Sequence, residues 1–421
     1  ISGEPVLTDN KQVEQRLSHV ANAFLHHNRP IVRPADDAVI RVIGQQAAPI
    51  RQGRGMAPVE IRLPFDVGRP VLAVGAHMKN TIALAWHDRV VVSPHIGEMD
   101  NPRSLETFEQ SISDLQDLYR VRIERIVCDA HTGFTTSRWA QQQSQPVSRV
   151  YHHHAHASAA FADTMRDDAS LDKLLVFTWD GVGIGPDGTL WGGEALFGQP
   201  GDWHRLATFR PFRLPGGERA GREPWRSAAG LCWESGREYP IEEASDPLLY
   251  SFWQQGRNAP STSAVGRLFD AASALCGVCV RASFEGEGPM YLETEAAKVS
   301  DIDAVDFTAM EMSQVNRVYS TDWAPLIPML QNKALPVPER AARFHCSLAH
   351  SLLNQALAIR NDRPVDKVAL SGGVFQNRVL TRQVTRLLKH NGFDVTLPSR
   401  VPVNDGGICF GQIVEYGYRK G

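Results

Sequence analysis

The sequence has little of what marks several classes of protein. It holds only six cysteines in 421 residues, a density far below that of a disulfide-stapled secreted domain. No apolar run approaches the roughly 18 residues that a membrane-spanning helix needs, and no basic segment followed by an apolar one opens the chain. The formal net charge is only −3, which gives no sign of a nucleic-acid surface. We therefore expect a soluble, cytoplasmic protein that binds neither membrane nor nucleic acid.

What is present is the composition of an ordinary globular protein, with 43% hydrophobic and 22% charged residues. At roughly 100–200 residues per domain, this length predicts two to four domains. The lone C-x-x-C motif, Cys276-Gly-Val-Cys279, is interpreted as two buried small apolar residues, with redox or metal chemistry as the alternative. The chain opens on Ile1-Ser2-Gly3 without a Met, which is typical of a segment from a longer protein.

Residues 1–65 read as a separate unit, with a helix over 11–27 and a linker marked by prolines at 58, 64 and 70. From residue 66, three short apolar runs predict an antiparallel meander, and the alternating helices and strands that follow predict an α/β lobe with a mixed sheet. We place this first lobe at about 66–200 and a second α/β lobe at about 200–421. The segment 200–260 has weak periodicity, and we predict no elements there.

The periodicity predicts the following elements. Strands are expected at 71–75, 81–86, 89–93, 125–128, 147–150, 173–179, 189–196, 365–370 and 395–397. Helices are expected at 104–118, 133–143, 153–164, 264–276, 339–360, from 377, and at the end of the chain.

Four histidines crowd the segment Tyr151-His152-His153-His154-Ala155-His156. In a helix, His152 and His156 lie at i and i+4 on one face, where two imidazoles can share a metal ion. Imidazoles suit Zn or Fe(II), and spacing alone does not choose between them. The alternative is a merely polar helix start.

Two aspartates could complete such a site. Asp180 follows an apolar strand in Trp179-Asp180-Gly181, and Asp405 lies in the turn Asn404-Asp405-Gly406-Gly407. Taken alone, Asp180 could simply begin a glycine-rich hairpin, and Asp405 could be a helix N-cap. Together with two histidines they would form a two-imidazole, two-carboxylate site with room for substrate or water.

Two glycine-containing segments could bind anions. Leu370-Ser371-Gly372-Gly373 leads from a predicted strand to a helix at Asn377, which presents backbone N–H groups to an anion; the alternative is a tight turn. It is not a Walker loop, because the G-K-[ST] ending is absent. The loop 213–226 carries four arginines and is either solvated or an anion-recognition loop.

These motifs together resemble the TsaD-like nucleotide-binding fold, a branch of the actin, sugar-kinase and heat-shock-chaperone superfamily. The resemblance rests on His152-x-x-x-His156, the Asp180-Gly strand end, Ser371-Gly372-Gly373-Val374-x-x-Asn377 and Asn404-Asp405-Gly406-Gly407. It implies an α/β fold of two lobes, with a mixed sheet in each lobe and nucleotide held between them.

More specific stretches are similar to the HypF-type carbamoyltransferases of [NiFe]-hydrogenase maturation. They are residues 75–81, 93–99, 128–131, 190–194 and 222–226. Residues 1–65 resemble the C-terminal part of a YrdC-like α/β domain plus a linker, and 66–421 resemble the TsaD-like carbamoyltransferase domain.

The resemblance implies a two-step reaction. A YrdC-like site forms carbamoyl adenylate from carbamoyl phosphate and ATP, and the TsaD-like site transfers the carbamoyl group to the C-terminal cysteine of a HypE-type partner, where it becomes the precursor of cyanide. The implied metal ligands and catalytic residues are His152, His156, Asp180 and Asp405, holding one Fe or Zn ion as a Lewis acid. The implied nucleotide contacts are Gly372, Gly373 and Asn377, with Asp270 and Glu293 as candidates for the ribose.

Two features depart from the family pattern. Full-length members begin with an acylphosphatase-like domain and zinc-finger-like motifs, and neither occurs in these 421 residues. The first half of the YrdC-like domain is also absent, so the resemblance predicts an incomplete adenylate-forming site in this chain.

Three other functions stay open. An O-carbamoyltransferase acting on a natural-product hydroxyl shares the metal site but usually has the reverse domain order. A tRNA threonylcarbamoyltransferase is disfavoured because no basic surface is evident. A non-catalytic, nucleotide-dependent docking module would present the partner's tail without reacting.

Overall fold

The computed structural model describes residues 6–44, 46–166, 168, 170–239 and 241–419. Its first elements are helix α1 (Asn10–Leu17) and a two-stranded antiparallel sheet of β1 (Val39–Ile43) and β2 (Gln46–Arg51). The helix predicted over 11–27 therefore ends ten residues early. No residue of α1 is buried, and so short a helix depends on packing for its stability.

This N-terminal unit lies against the larger part of the chain. The Asn404 side-chain amide donates to the carbonyl of Ile50 at 3.0 Å, and His95 Nδ1 lies 2.8 Å from Asp36 Oδ2. Most residues of the β1–β2 hairpin are exposed or half-buried. A unit that buries so little gains its order from docking rather than from a core of its own.

Residues 59–150 form a six-stranded sheet in the order β3-β6-β5-β4-β7-β8. The predicted meander is confirmed, because the β4–β5 and β5–β6 pairs are antiparallel, while β4–β7 and β7–β8 are parallel. Helix α2 buries Phe108, Ile112 and Leu115 at helical spacing. The elements are β3 (Val59–Arg62), β4 (Val71–Ala73), β5 (Ala83–Trp86), β6 (Arg89–Val92), α2 (Pro102–Tyr119), β7 (Arg125–Asp129), α3 (Thr135–Gln141) and β8 (Val147–Val150).

The rest of the chain builds a nine-stranded mixed sheet and the helices around it. Its main path is β14-β15-β11-β10-β9-β16-β17, with β13 paired to β10 and β12 paired to β13. The elements are α4 (His152–Met165), β9 (Leu174–Ile184), β10 (Leu190–Gln199), β11 (Asp202–Phe209), β12 (Phe212–Arg213), α5 (Pro224–Glu234), α6 (Pro247–Gln254), β13 (Ser261–Thr262), α7 (Val265–Leu275), α8 (Glu287–Ala296), β14 (Met312–Val315), β15 (Val318–Thr321), α9 (Leu326–Gln331), α10 (Val337–Asp362), β16 (Lys367–Ser371), α11 (Arg378–His390), β17 (Asp394–Thr396) and α12 (Ile408–Tyr418).

The sheets divide the chain differently from the predicted lobes. Strands β9 and β10, predicted in the first lobe, belong to the nine-stranded sheet because β9 pairs in parallel with β16. Helix α12, predicted in the second lobe, returns to the six-stranded sheet, where Phe410 and Ile413 share an apolar cluster with Val71 and Ala83. Sheet membership follows hydrogen-bonded pairing and burial, which sequence order does not reveal.

The segment 200–260, for which no elements were predicted, contains β11, β12, α5 and α6. In α5, all residues from Pro224 to Cys232 are buried. A helix that is covered on every side has no polar face, and therefore no amphipathic period to detect.

Cys276 and Cys279 are free and buried, and burial raises the pKa of the Cys276 thiol to about 11. The burial predicted for these two cysteines is confirmed. Among the described residues, no helix combines the length and the apolar character needed to cross a bilayer.

Helices α4 and α12 approach each other so closely that one position has no space for a side chain. A Cβ placed on Gly411 would lie 1.9 Å from the carbonyl oxygen of Ala155. We expect Gly411→Ala to lower the free energy of unfolding by about 1–3 kcal/mol through overpacking, despite the better helix propensity of alanine. Urea denaturation checks this, with Glu106→Ala on the exposed face of α2 as control. An unfolding midpoint that stays at the wild-type value would contradict the prediction.

Candidate metal and nucleotide site

The histidine-rich segment forms the first turns of α4, which begins at His152. His152 and His156 lie on one face with ring centroids 5.0 Å apart, and each residue is only 1% exposed. The predicted i, i+4 arrangement is present.

Asp180 lies within β9 rather than at its end, because the strand predicted to end near 179 continues to Ile184. The pairing of β9 with β10 is irregular between Trp191 and Gly193, and such a bulge changes where neighbouring side chains point. Asp180 does not begin a turn here: its carboxylate meets both histidines.

Asp405 opens a short turn just before α12. The capping role there belongs to its neighbour, since Asn404 Oδ1 accepts from the backbone N–H of Gly406 at 2.9 Å. The alternative interpretation of Asp405 as the capping residue therefore does not hold, because Asn404 caps this turn.

These four side chains converge. Asp180 Oδ2 lies 3.2 Å from His152 Nε2 and 3.3 Å from His156 Nε2. Asp405 Oδ1 lies 3.6 Å from His152 Nε2 and 3.8 Å from His156 Nε2. One potential ligand atom from each residue falls within a mutual distance of 4.8 Å, so the donor set fits a divalent cation.

The carboxylates and imidazoles of this cluster stabilise each other's charged forms. Burial alone would raise the pKa of Asp180, but hydrogen bonds from His152 and His156 hold it well below its ordinary value. Burial likewise opposes protonation of His152, yet Asp405 and the other carboxylates raise its pKa well above the ordinary value.

The sequence reasoning missed Asp129 as part of this site. Asp129 Oδ2 lies 2.8 Å from His152 Nδ1, and its side chain is fully buried. A carboxylate at Nδ1 favours the tautomer that leaves Nε2 as the ligand atom. The sequence did contain a signal, because Asp129 directly follows the strand predicted at 125–128. In the structure Asp129 ends β7 and pairs with Val150, and Val150 lies two residues before His152.

The other two histidines point elsewhere. His153 is fully buried beside Trp191, neither of its ring nitrogens has a hydrogen-bond partner, and burial lowers its pKa well below the ordinary value. His154 Nδ1 lies 3.8 Å from Glu415 Oε1. The segment thus contributes two of its four histidines to the cluster.

A cavity of about 370 Å³ opens beside the cluster. Asp180 forms part of its wall, so one residue belongs to both. The wall includes four of the five predicted nucleotide residues, namely Gly373, Asn377, Asp270 and Glu293, together with Val39, Ile40, Arg41, Ile50, Lys79, Gly181, Gly266, Arg267, Phe269, Glu285, Gly286, Pro289, Met290, Val374 and Gln376.

Gly373 connects the cavity to the cluster. Its N–H donates to Asp180 Oδ1 at 3.0 Å, and a Cβ at this position would lie 2.8 Å from that same oxygen. Glycine therefore allows the carboxylate to approach the backbone closely.

Gly372 does not line this cavity, and the structure gives it another role. Its φ is +101°, and a Cβ would lie 2.2 Å from the carbonyl oxygen of Trp179. Its N–H donates to the carbonyl of Val403 at 2.7 Å. Gly372 shapes the turn, and Gly373 faces the cavity.

The three polar candidates already have partners in the protein. Asn377 caps α11 by accepting from the N–H of Leu380 at 2.9 Å. Glu293 Oε1 accepts from the N–H of Arg378 at 2.9 Å. Burial raises the pKa of Asp270 to about 7 against the opposing charge of Arg267.

Arg41 is a second residue that sequence reasoning missed. It comes from strand β1 of the N-terminal unit, and its guanidinium donates to Glu293 Oε1 at 2.7 Å and to the carbonyl of Gln376 at 2.9 Å. No local pattern could reveal a contact between residues 252 positions apart.

The arginine-rich loop 213–226 is largely engaged in ion pairs. Arg213 pairs with Glu234 at 3.1 Å, Arg222 with Glu98 at 3.2 Å and Arg226 with Glu223 at 2.5 Å. These guanidinium groups therefore have carboxylate partners within the protein, and the anion-recognition reading of this loop stays a prediction.

Comparison with family models divides the chain into three matches. Residues 1–53 match the Sua5/yciO/yrdC family, described as telomere recombination. Residues 66–163 match the HypF Kae1-like domain. Residues 176–412 match the second subdomain of the carbamoyltransferase Kae1-like domain.

Curated relatives agree with these models. Carbamoyltransferase HypF of Synechocystis is 34% identical over 98% of this chain and 56% of its own length. A carbamoyltransferase HypF homolog of Cupriavidus necator is 32% identical over 82% of this chain and 90% of its own length. The chain spans about half the length of the Synechocystis protein and of other curated HypF relatives.

A full-length HypF crystal structure in a phosphate- and nucleotide-bound form superimposes with a TM-score of 0.90 at 31% identity, covering 99% of this chain and 55% of that one. HypF of T. kodakarensis superimposes with a TM-score of 0.87 at 29% identity over 99% of this chain and 56% of that one. The fold, the matched models and the relatives agree: the chain belongs to the HypF family of carbamoyltransferases.

Proposed function

We propose that this chain transfers a carbamoyl group from carbamoyl adenylate to the C-terminal cysteine of a HypE-type partner in [NiFe]-hydrogenase maturation. The donor would derive from carbamoyl phosphate and ATP. Family membership supports a carbamoyltransferase, and the site geometry supports chemistry at a nucleotide-linked carbonyl.

The observation that carries the proposal is the double role of Asp180. One of its oxygens meets the two histidines, the other accepts from Gly373 N–H, and the residue lines the cavity. An adenylate in the cavity would therefore present its reactive end to the cluster.

We propose that His152, His156, Asp180 and Asp405 bind one Fe or Zn ion. When bound, such an ion supplies Lewis-acid polarisation of a carbonyl or phosphate oxygen. Asp129 orients His152, and the Gly373 N–H fixes the Asp180 carboxylate in place. The protein thus presets the donor geometry before any substrate enters.

The state of the cysteines in this chain supports an acceptor thiol that comes from another protein. All six cysteines of the chain are buried, and burial raises the pKa of the Cys409 thiol to about 12. A buried thiol that stays protonated is a poor nucleophile. This favours a partner that brings its own thiolate.

The transfer itself can be tested with the purified chain, synthetic carbamoyl adenylate and a HypE-type partner. We expect mass spectrometry to find one carbamoyl group on the C-terminal cysteine of the partner. A parallel reaction with carbamoyl phosphate and ATP measures whether these 421 residues form the donor themselves.

The controls separate the remaining alternatives. A partner with its C-terminal cysteine replaced by serine should stay unmodified. Transfer to small hydroxyl acceptors, but not to the partner, would favour an O-carbamoyltransferase. Stable binding of the partner without any mass shift, at full metal content, would overturn the catalytic proposal in favour of a docking module.

Metal binding is tested by removing one imidazole. We expect His156→Ala to lose the bound ion, because it removes one of the four proposed ligands and the rigid site cannot replace it. The circular dichroism spectrum should stay unchanged. Metal content is measured by mass spectrometry after loading with Fe(II) or Zn(II). His204→Ala, an exposed histidine on β11, is the matched control. Retention of stoichiometric metal by His156→Ala would exclude the assigned ligand set.

The orienting role of Asp129 predicts a graded effect. Asp129→Asn keeps the shape of the side chain but removes the charge behind His152, and we expect the metal dissociation constant to rise about 10–100-fold. Competition with a zinc chelator measures this constant. Asp100→Asn, which alters an exposed Asp–His pair with His77, should leave it unchanged. Equal affinities for wild type and Asp129→Asn would rule out this role.

A further inference from the structure

Three basic residues line the cavity, namely Arg41, Lys79 and Arg267. Two of them are closely paired: Arg41 with Glu293 at 2.7 Å and Arg267 with Asp270 at 3.0 Å. Lys79 differs, because its Nζ lies 3.9 Å from Glu285 Oε2, too far for a hydrogen bond. Within the described ranges, that contact is the only ion pair of this ammonium.

The loop that carries Lys79 is firmly held. The Asn80 side chain donates to the carbonyls of Val74 at 2.9 Å and Ala76 at 2.6 Å. The N–H of Gly75 donates to Gln412 Oε1 at 2.9 Å. Lys79 itself has a φ of +46°, a backbone region that residues with a Cβ rarely adopt. Such a conformation persists only where the surroundings enforce it, and it occurs often at functional sites.

Acidic groups surround the ammonium. Burial alone would lower the pKa of Lys79, but the carboxylates of Glu285, Asp405, Asp180 and Glu98 outweigh this effect and raise it. Two of these carboxylates belong to the cluster, and Lys79 lines the same cavity as Asp180. Its side chain is 37% exposed, which leaves the charge open to an anion that enters.

Glu285 acts as the counter-ion in the absence of substrate. Its Oε1 lies 3.7 Å from Arg267 Nη2, and its buried Oε2 has no hydrogen-bond partner. A carboxylate held this loosely leaves donors of Lys79 available to a second anion.

We propose that Lys79 is a catalytic residue whose ammonium binds the phosphate of the adenylate and stabilises charge on the departing AMP. This inference rests on the proposed function and adds a leaving-group contact to it. A compact lysine ammonium on a cavity wall is a common solution for binding phosphate.

The charge change in the reaction explains why a cation is needed there. The acceptor thiolate attacks the carbamoyl carbon and forms the C–S bond. The C–O bond to the phosphate then breaks, and its electron pair goes to the phosphate oxygen. The products are the thiocarbamate and AMP, whose phosphate has gained one negative charge. A fixed ammonium at that oxygen stabilises the transition state more than the bound adenylate.

The test compares two ligands that differ only in the phosphate. By titration calorimetry, we expect Lys79→Met to weaken AMP binding about 10-fold or more and to leave adenosine binding unchanged. Transfer from carbamoyl adenylate should fall about 100-fold in kcat, with metal content unchanged. Lys79→Arg should recover most of the AMP affinity. Lys333→Met, at an exposed position after α9, should behave as wild type.

Equal losses for AMP and adenosine, or no loss for either, would overturn the proposal, because a merely structural lysine does not distinguish the two ligands. If the methionine variant fails to fold, Lys79→Gln takes its place and the same affinity ratio is measured. Because the ligand comparison needs no acceptor, it can succeed when transfer by the wild-type chain fails. Failure of the lysine assignment and failure of the proposed function are therefore distinguishable.

Discussion

The carboxylate of Asp180 is the point on which the site depends. Burial penalises its charge, and three donors offset that penalty: the two imidazoles of His152 and His156 and the N–H of Gly373. Without these donors, burial would raise the pKa of the carboxylate and favour its protonated form, which is a poorer metal ligand. The two histidines also depend on it, because Asp180 Oδ2 is the carboxylate oxygen that lies within hydrogen-bond distance of both rings. Cluster and cavity wall are therefore one electrostatic unit.

The fold brings these donors together through packing between regular elements. Strand β9 carries Asp180 and pairs in parallel with β16, which leads directly into the glycine turn. Helix α4 carries both histidines and lies against β9 through residues such as Phe161 and Val176. Three of the four proposed ligands thus lie on a helix or a strand, where packing holds side chains more precisely than a loop does.

How much of this site could be predicted from the sequence depends on how far apart along the chain the interacting residues lie. The spacing of His152 and His156 is a local pattern, and a helix leaves only one arrangement for it. Asp180 and Asp405 lie 225 residues apart. Their residue types suggested a shared site with the two histidines, and the resemblance to a known family supported that grouping. Asp129, Arg41 and Lys79 sit in loops, at strand ends or on a docked hairpin, and their roles arise from tertiary contacts that no local period encodes. The sheet to which β9 belongs was hidden for the same reason, because it pairs with a strand nearly 200 residues later.

The burial of the six cysteines affects how easily the protein itself could be chemically modified. Carbamoyl adenylate is an activated acyl donor, and any accessible thiolate near it would be acylated without benefit. Cys409 follows Asp405 by only four residues, yet it is fully buried and its thiol lies 3.1 Å from the hydroxyl of Thr81. In the proposed reaction, buried and protonated thiols of this kind would protect the chain from self-acylation and leave the carbamoyl group for the cysteine of the partner.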